Sequence, residues 1–446
     1  MAQSGLTVIT AVKSGQVDNL EKVLLQIGED IQDNTLVKFC DMPSMHFACW
    51  VILKKGTTDF PDELVLELNY DGETDNILQE LIQHGSTGLD QIYSLCEGYP
   101  GPSAARHTAF VNYLKSHVKS NAAFYVGCRG QSLPSIRNAS DIRAACETLL
   151  DSAEGACLRD KSPSQVRAAL QAHIRENPAL KPVSSTRSLA EIRANASRAN
   201  NAVKGVLVLL GFVAVAPIIG GLFYNWLPPM LAMLMLIPLP LTLFLLCFAI
   251  VLRINEFRDA AIGRPMEGFV DQRVAGKEDV FDMNHMTTLT DIKPGAFRLL
   301  TLKFVLWLIN LLASTVFIVG DLGGIPTIHF ARWVFIDNDK RLLFFSNYDG
   351  SWESYMGDFI DRANQGLTAI WSNTIDFPRT NWLAWAGARR VDEFKRWTRV
   401  HNVFNQVWYT AYPEQTLRNI VQDITFREGL EGPMDDHQAQ EWLRLL

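Results

Sequence analysis

The sequence predicts an α+β protein in which two copies of a βαββαβ unit pair as a pseudo-dimeric barrel, with a two-helix transmembrane hairpin inserted between them. Three observations predict it. A run of 48 residues, from Gly205 to Leu252, contains no Asp, Glu, Lys or Arg. Several strings recur in one order on either side of that run. Within each copy, short alternating β-branched segments are interleaved with segments that carry apolar residues at helical spacing.

The apolar run is long enough for two crossings of about 20 residues each. It divides at Tyr224-Asn225-Trp226-Leu227-Pro228-Pro229, where interfacial aromatics meet a Pro-Pro pair that a helix interior rejects. Gly205–Phe223 and Met230–Leu252 are the predicted spans. Pro238 and Pro240 are expected to kink or unwind the second one. Arg187, Arg193, Arg198 and Lys204 precede the pair, and Arg253, Arg258 and Arg264 follow it. Basic flanks face the cytoplasm, so both termini and both repeats are expected there, in a cell-membrane protein with two crossings. The N-terminus has no basic-then-apolar leader, so no cleaved signal peptide is expected. Neither crossing carries an ionisable group, which favours an anchor over an ion path.

The repeat is read from pairs. Met45-His46-Phe47-Ala48-Cys49-Trp50-Val51 matches Ile328-His329-Phe330-Ala331-Arg332-Trp333-Val334, and Asn69-Tyr70-Asp71-Gly72 returns as Asn347-Tyr348-Asp349-Gly350. Gly88-Leu89, Ile92 and Pro100 recur as Gly366-Leu367, Ile370 and Pro378. His117 and Phe124-Tyr125 fall opposite His401 and Trp408-Tyr409. The first copy reads as strand Leu6–Val12, helix Val17–Ile27, strands Met45–Leu53 and Leu64–Leu68, helix Thr74–Leu95 and strand Ala123–Gly127. A loop at Thr57–Pro61 has the tight turn Asp337-Asn338-Asp339-Lys340 as its counterpart. This order is the ferredoxin-like unit. One such sheet leaves a face uncovered, and a second copy supplies the cover.

The resulting division is repeat 1 over 1–150, a helical connector over 151–202, the hairpin over 203–252 and a linker over 253–284. Repeat 2 covers 285–428, and a tail covers 429–446. Phe304–Val319, with 16 uncharged residues, is short for a crossing. The repeat assigns it to the first helix of the second copy, buried or lying in the bilayer interface.

Composition narrows the function. A formal charge of −7 disfavours a nucleic-acid partner, and seven cysteines without a CxxC disfavour a disulfide scaffold or structural zinc. The expected partners are the lipid bilayer, a small-molecule ligand, and each repeat for the other. His46 and His329 can approach a central cavity as metal or haem ligands or as acid and base, or can be duplicated core histidines. Strand alternation places His329, Ala331 and Trp333 on one face, with Phe330, Arg332 and Val334 on the other. Arg332, replaced by Cys49 in the first copy, can hold a carboxylate, phosphate or peroxide, or pair with a structural acid. Asp71 and Asp349 stand where a strand hands over to a helix, so N-capping of that helix competes with catalysis. Asn347, Tyr70 and Tyr348 can tie the turn to the sheet edge or line the cavity mouth, and Trp333 can belong to a large aromatic core or face a planar ligand. His117 and His401 precede the final strands. Arg389-Arg390 and Lys395-Arg396 with Trp397 form a basic aromatic patch, either a solvated helix face or a surface that attracts anionic lipid headgroups.

In element order the chain resembles the dimeric α+β barrel superfamily in its fused form, over roughly 5–135 and 285–425. That superfamily includes the dye-decolourising peroxidases. Ser346-Asn347-Tyr348-Asp349-Gly350 is similar to the peroxidase GxxDG box, with Ser in place of the first Gly; Leu68 takes that place in the first copy. The strings Ile328–Trp333 and Ser346–Tyr355 also resemble an uncharacterised group of bacterial membrane proteins. The peroxidase resemblance implies a haem-dependent oxidoreductase in which the box Asp and a partner Arg act on peroxide. Together with the residue pattern above, the candidates for the chemistry are His329, Arg332 and Asp349, with His46, Asp71, Tyr70, Tyr348, Asn347 and Trp333 around the ligand. The alternative is a non-catalytic membrane scaffold or a lipid- or partner-binding module.

Overall fold

The structure is a computed structural model and describes residues 3–55, 60–102, 106–183, 188–259, 271–278 and 282–446. Most of the expected 57–61 loop, part of the 253–284 linker, and Arg187 and Arg264 of the basic flanks lie outside the described residues.

The chain is mixed α+β with two five-stranded antiparallel sheets. In the first half, strands β1 (Gln3–Ala11), β2 (Met45–Leu53) and β3 (Glu63–Asp71) alternate with helices α1 (Val17–Glu29) and α2 (Thr74–Tyr93). Short strands β4 (Val118–Lys119) and β5 (Asn121–Val126) follow, and then helix α3 (Leu133–Asp151). The second half runs β6 (Met283–Asp291), α7 (Ala296–Thr315), β7 (Ile328–Ile336), β8 (Arg341–Asp349), α8 (Trp352–Arg362) and α9 (Asn364–Trp371). A small hairpin, β9 (Thr380–Asn381) with β10 (Trp385–Ala386), precedes β11 (Asn402–Val403), β12 (Asn405–Thr410) and α10 (Leu417–Glu428). Between the halves lie α4 (Leu189–Leu222), α5 (Pro229–Leu236) and α6 (Leu239–Arg258).

Strand order is β12-β2-β3-β1-β4 in one sheet and β11-β6-β8-β7-β5 in the other. One residue separates β4 from β5, and one separates β11 from β12. The final strand of each half therefore starts on its own sheet and ends by pairing with the opposite one, β5 on β7 and β12 on β2.

Side-chain alternation builds the layers. On β2, Ala48, Trp50 and Ile52 pack with α1 and α2, while Cys49, Val51 and Leu53 meet Val334, Ile336, Leu343 and Phe345 of the other sheet. Both faces of β2 are thus covered, and all nine of its residues are buried. The turn from β7 to β8 holds Asp337, Asn338 and Asp339 at φ 53, 52 and 63°, a left-handed stretch that short polar side chains tolerate.

Among the described residues, three helices, α4, α6 and α7, are long and apolar enough to cross a membrane. Helix α4 is continuous through the expected connector boundary at 203 and contains Pro217. The second apolar segment breaks at Ile237–Pro238, as its prolines require, with Pro240 in the first turn of α6.

Candidate functional site

A β-bulge marks each His-Phe-Ala string. Met45 pairs with Tyr70 and Phe47 with Asn69, so His46 is the extra residue; Ile328 pairs with Tyr348 and Phe330 with Asn347, so His329 is. The expected alternation therefore fails at this point. Ile328, Ala331 and Trp333 lie under the helices, Phe330 and Arg332 point inward, and His329 shares neither pattern.

The bulges bring the two histidines to one place. His329 Nε2 is 2.6 Å from Asp349 Oδ1 in a hydrogen bond. His46 Nε2 is 3.1 Å from Asp71 Oδ1, without a hydrogen bond's alignment. Its Nδ1 is 3.1 Å from the Tyr412 hydroxyl. The Tyr412 ring centroid lies 5.8 Å from that of each histidine. Burial pushes the Tyr412 hydroxyl pKa well up, and Asp71 and Asp349 push it further.

The second carboxylate oxygens explain why the aspartates are here. Asp71 Oδ2 accepts the backbone N–H of Leu133 at 2.7 Å, and Asp349 Oδ2 accepts that of Leu417 at 2.8 Å. Each aspartate thus meets the positive end of α3 or α10. This corrects the expectation that they cap the helices that follow them: Glu73 and Ser351 occupy those N-cap positions. Sequence reasoning missed Leu133, Leu417 and Tyr412. A signal was present, since Gln131-Ser132-Leu133 recurs as Gln415-Thr416-Leu417 at the His117-to-His401 separation. Ser132 and Thr416 cap the two helices.

Arg332 lies apart from this centre, between the sheets. Its guanidinium is 3.0 Å from Glu67 Oε1, donates to the Leu68 carbonyl at 2.6 Å and to Asn69 Oδ1, reaches Thr7 Oγ1 at 3.3 Å, and lies over Phe124. Burial lowers its pKa, and Glu67 opposes that shift. Asn347 also faces inward; its Oδ1 meets His285 Nδ1 at 3.0 Å and accepts from Trp408 Nε1 at 2.9 Å. Burial lowers the His285 pKa.

The remaining candidates separate further. Tyr70 meets Thr74 Oγ1 at 2.8 Å, and Tyr348 stacks on Tyr355. His117 and His401 each place Nδ1 2.8 Å from a carbonyl one helical turn back. In the basic patch Trp397 is buried and two cations are paired, Arg390 with Glu393 and Lys395 with Glu353, while Arg389 and Arg396 are exposed.

Trp333 lines a cavity of about 600 Å³ between the second sheet and α7, α8 and α9. Ile325, Ile328, Ala331, Phe344 and Ile370 form its buried depth, and Ile309 and Leu312 of α7 form one wall. The Trp333 indole N–H is buried without a partner.

Haem does not fit these residues. Both His46 ring nitrogens face other side chains, His329 Nε2 is taken by Asp349, and Phe47, Phe330 and Tyr412 pack around both rings. The cavity beside Trp333 has no His, Cys, Met or Tyr in its lining to serve as an axial ligand. Among the described residues, no three His, Cys, Asp or Glu side chains gather as a metal site. Comparison with protein families, curated proteins and solved structures finds no match to this chain.

Proposed function

We propose that this chain is a membrane-anchored, cytoplasmic ligand-binding protein that takes a small apolar molecule into the cavity beside Trp333. In this reading its histidine–aspartate centre fastens the fold and does no chemistry. The observation that carries it is the shared wall. Helix α7 lines the cavity with Ile309 and Leu312 and leaves Leu300, Phe304, Trp307 and Leu311 bare along another face. A largely apolar cavity of this size is suited to a small ligand.

Two ferredoxin-like repeats in a pseudo-dimeric barrel are the architecture we assign. Support comes from the β4-β1-β3-β2 order within the first sheet, its counterpart β11-β6-β8-β7 in the second, and the exchanged β5 and β12. We assign two crossings, with both halves cytoplasmic, and place α7 in the interface. Thr301, Leu302, Val305 and Leu306 of α7 are buried in the protein. Its start is held to the end of α6, because Asp259 Oδ2 lies 2.8 Å from both Lys293 Nζ and Arg298 Nη2. A helix tied at the membrane surface and packed on a sheet is better placed to lie along that surface than to cross it.

An apolar fluorescent probe, N-phenyl-1-naphthylamine, titrated into the full chain in amphipol tests the ligand reading. Leu312→Trp and Ala331→Phe are expected to weaken binding at least about tenfold while leaving the melting temperature within a few degrees. Unchanged binding in both would overturn it. A reporter fused after Leu446 is expected to read as cytoplasmic, and an extracytoplasmic reading would refute two crossings.

A further inference from the structure

We infer that the molecule held beside Trp333 is a single-chain amphiphile with an anionic head, a carboxylate or a phosphate monoester, whose tail lies in the cavity and whose head sits at the junction of α8 and α9. The inference rests on the ligand-binding reading above and adds the chemistry of the ligand.

The depth of the cavity is hydrocarbon and its mouth is polar. The mouth is formed by Asp361, Arg362, Gln365, Gly366 and Arg389, all exposed. Helix α9 begins here without a side-chain cap: its N-cap residue is Ala363, and the first backbone N–H groups of the helix have no carboxylate or hydroxyl acceptor. Uncapped N–H groups at a helix start attract an anion, and the helix dipole adds to the attraction. The space above them is open, because a side chain built on Gly366 would meet nothing within 4 Å.

Arg389 supplies the counter-charge. Its Nε donates to Asn364 Oδ1 at 3.1 Å, which holds the side chain against the start of α9. Among the described residues it pairs with no carboxylate. Arg362 is already committed to Asp358 at 3.1 Å and to the Gly324 carbonyl at 2.8 Å. Asp361 and Arg389 are both exposed, so water screens the repulsion of the one and the attraction of the other alike, and the open helix start tips the balance toward an anion.

One further feature points the same way. The α7 wall is continuous with a bare apolar face, which gives an acyl chain a short route from a bilayer.

The test uses the full chain in amphipol, free of competing detergent, with cis-parinarate as the fluorescent probe. Oleate, oleoyl lysophosphatidate and oleyl alcohol are the competitors. Oleate or lysophosphatidate is expected to compete at least about fivefold better than oleyl alcohol, and the stronger of the two names carboxylate or phosphate as the head. Arg389→Gln is expected to remove that advantage and leave oleyl alcohol unchanged. Gly366→Asp, a favourable helix-start residue, is expected to do the same without loss of melting temperature. If oleyl alcohol equals the anions in the wild type, or both variants leave the anions unchanged, the anionic head is refuted and the apolar cavity stands. If no competitor acts and Leu312→Trp changes nothing, the cavity reading fails as well. A visible tetrapyrrole band in the purified protein would overturn the acyl assignment.

Discussion

Arg332 of the second half and Glu67 of the first lie 3.0 Å apart between the two sheets, each 1 % exposed. The pair is asymmetric between the matching strings of the two halves: Cys49 occupies the position matching Arg332, and Phe345 the position matching Glu67. Removing one member leaves the other charged in a dry interior. Arg332→Met is therefore expected to destabilise the protein by about 3–5 kcal/mol. Arg332→Met with Glu67→Gln is expected to recover part of that loss. Chemical denaturation of the two variants and the wild type checks it, and a double variant less stable than Arg332→Met alone would contradict it.

The two histidine–aspartate pairs are predicted to differ in strength. Asp349→Ala removes an acceptor from Leu417 and a well-formed hydrogen bond from His329, at a cost of about 2–4 kcal/mol. Asp71→Ala removes the equivalent acceptor from Leu133 but only a misaligned contact with His46, so its cost is expected to be about 1 kcal/mol smaller. Thermal melting of both variants ranks them. The reverse order would show that alignment at the histidine does not set the difference.

The ease of reading different features in the sequence followed from their range. Strand β2 has the bounds predicted from its apolar run, and the break at Pro238 follows from a missing N–H and a steric clash; both depend on neighbouring residues. The bulges at His46 and His329 are local too, yet a two-residue period carries no mark of an inserted residue, so facing was misassigned there. The acceptors of Leu133 and Leu417 lie 62 and 68 residues away in the chain, out of reach of any local rule. The sequence marks Arg332 as an asymmetric cation and leaves its partner open, because strand alternation says which side it faces and not which strand lies opposite. The partner of Lys395 in the patch around Trp397 is hidden for a similar reason: Glu353 comes from a different helix.

Stability is expected to fall as the solution is acidified below the ordinary histidine range. Burial lowers the pKa of His285 and of His401 in the folded protein. The unfolded chain therefore binds protons first, at about pH 6.5, while the folded chain stays neutral at these rings. Their contribution is fully present above that value and is lost toward the lowered folded pKa, at up to about 1.4 kcal/mol per pH unit for each ring. Melting curves at pH 7.5 and 5.5 should show the loss, and it should shrink in His401→Gln. An equal loss in that variant would remove His401 from the account.

The end of α6 is predicted to control the β9–β10 hairpin. Glu256, 4 % exposed, accepts the backbone N–H groups of Trp382 at 3.0 Å and Leu383 at 2.8 Å and the Thr380 hydroxyl at 3.1 Å. Trp382 and Leu383 are held at φ 52 and 65°, a conformation that costs free energy unless such acceptors hold it. Arg253, also paired with Glu256, lies over the Trp382 ring, and Trp382 and Trp385 project outward half-exposed. Glu256→Ala is expected to loosen the hairpin by about 2 kcal/mol, seen as roughly thirtyfold faster amide exchange over residues 380–386. Glu256→Gln keeps one acceptor oxygen and should accelerate exchange less. Exchange in the two sheets should stay unchanged, because the carboxylate touches neither; uniform acceleration across the chain would show that Glu256 supports the whole fold.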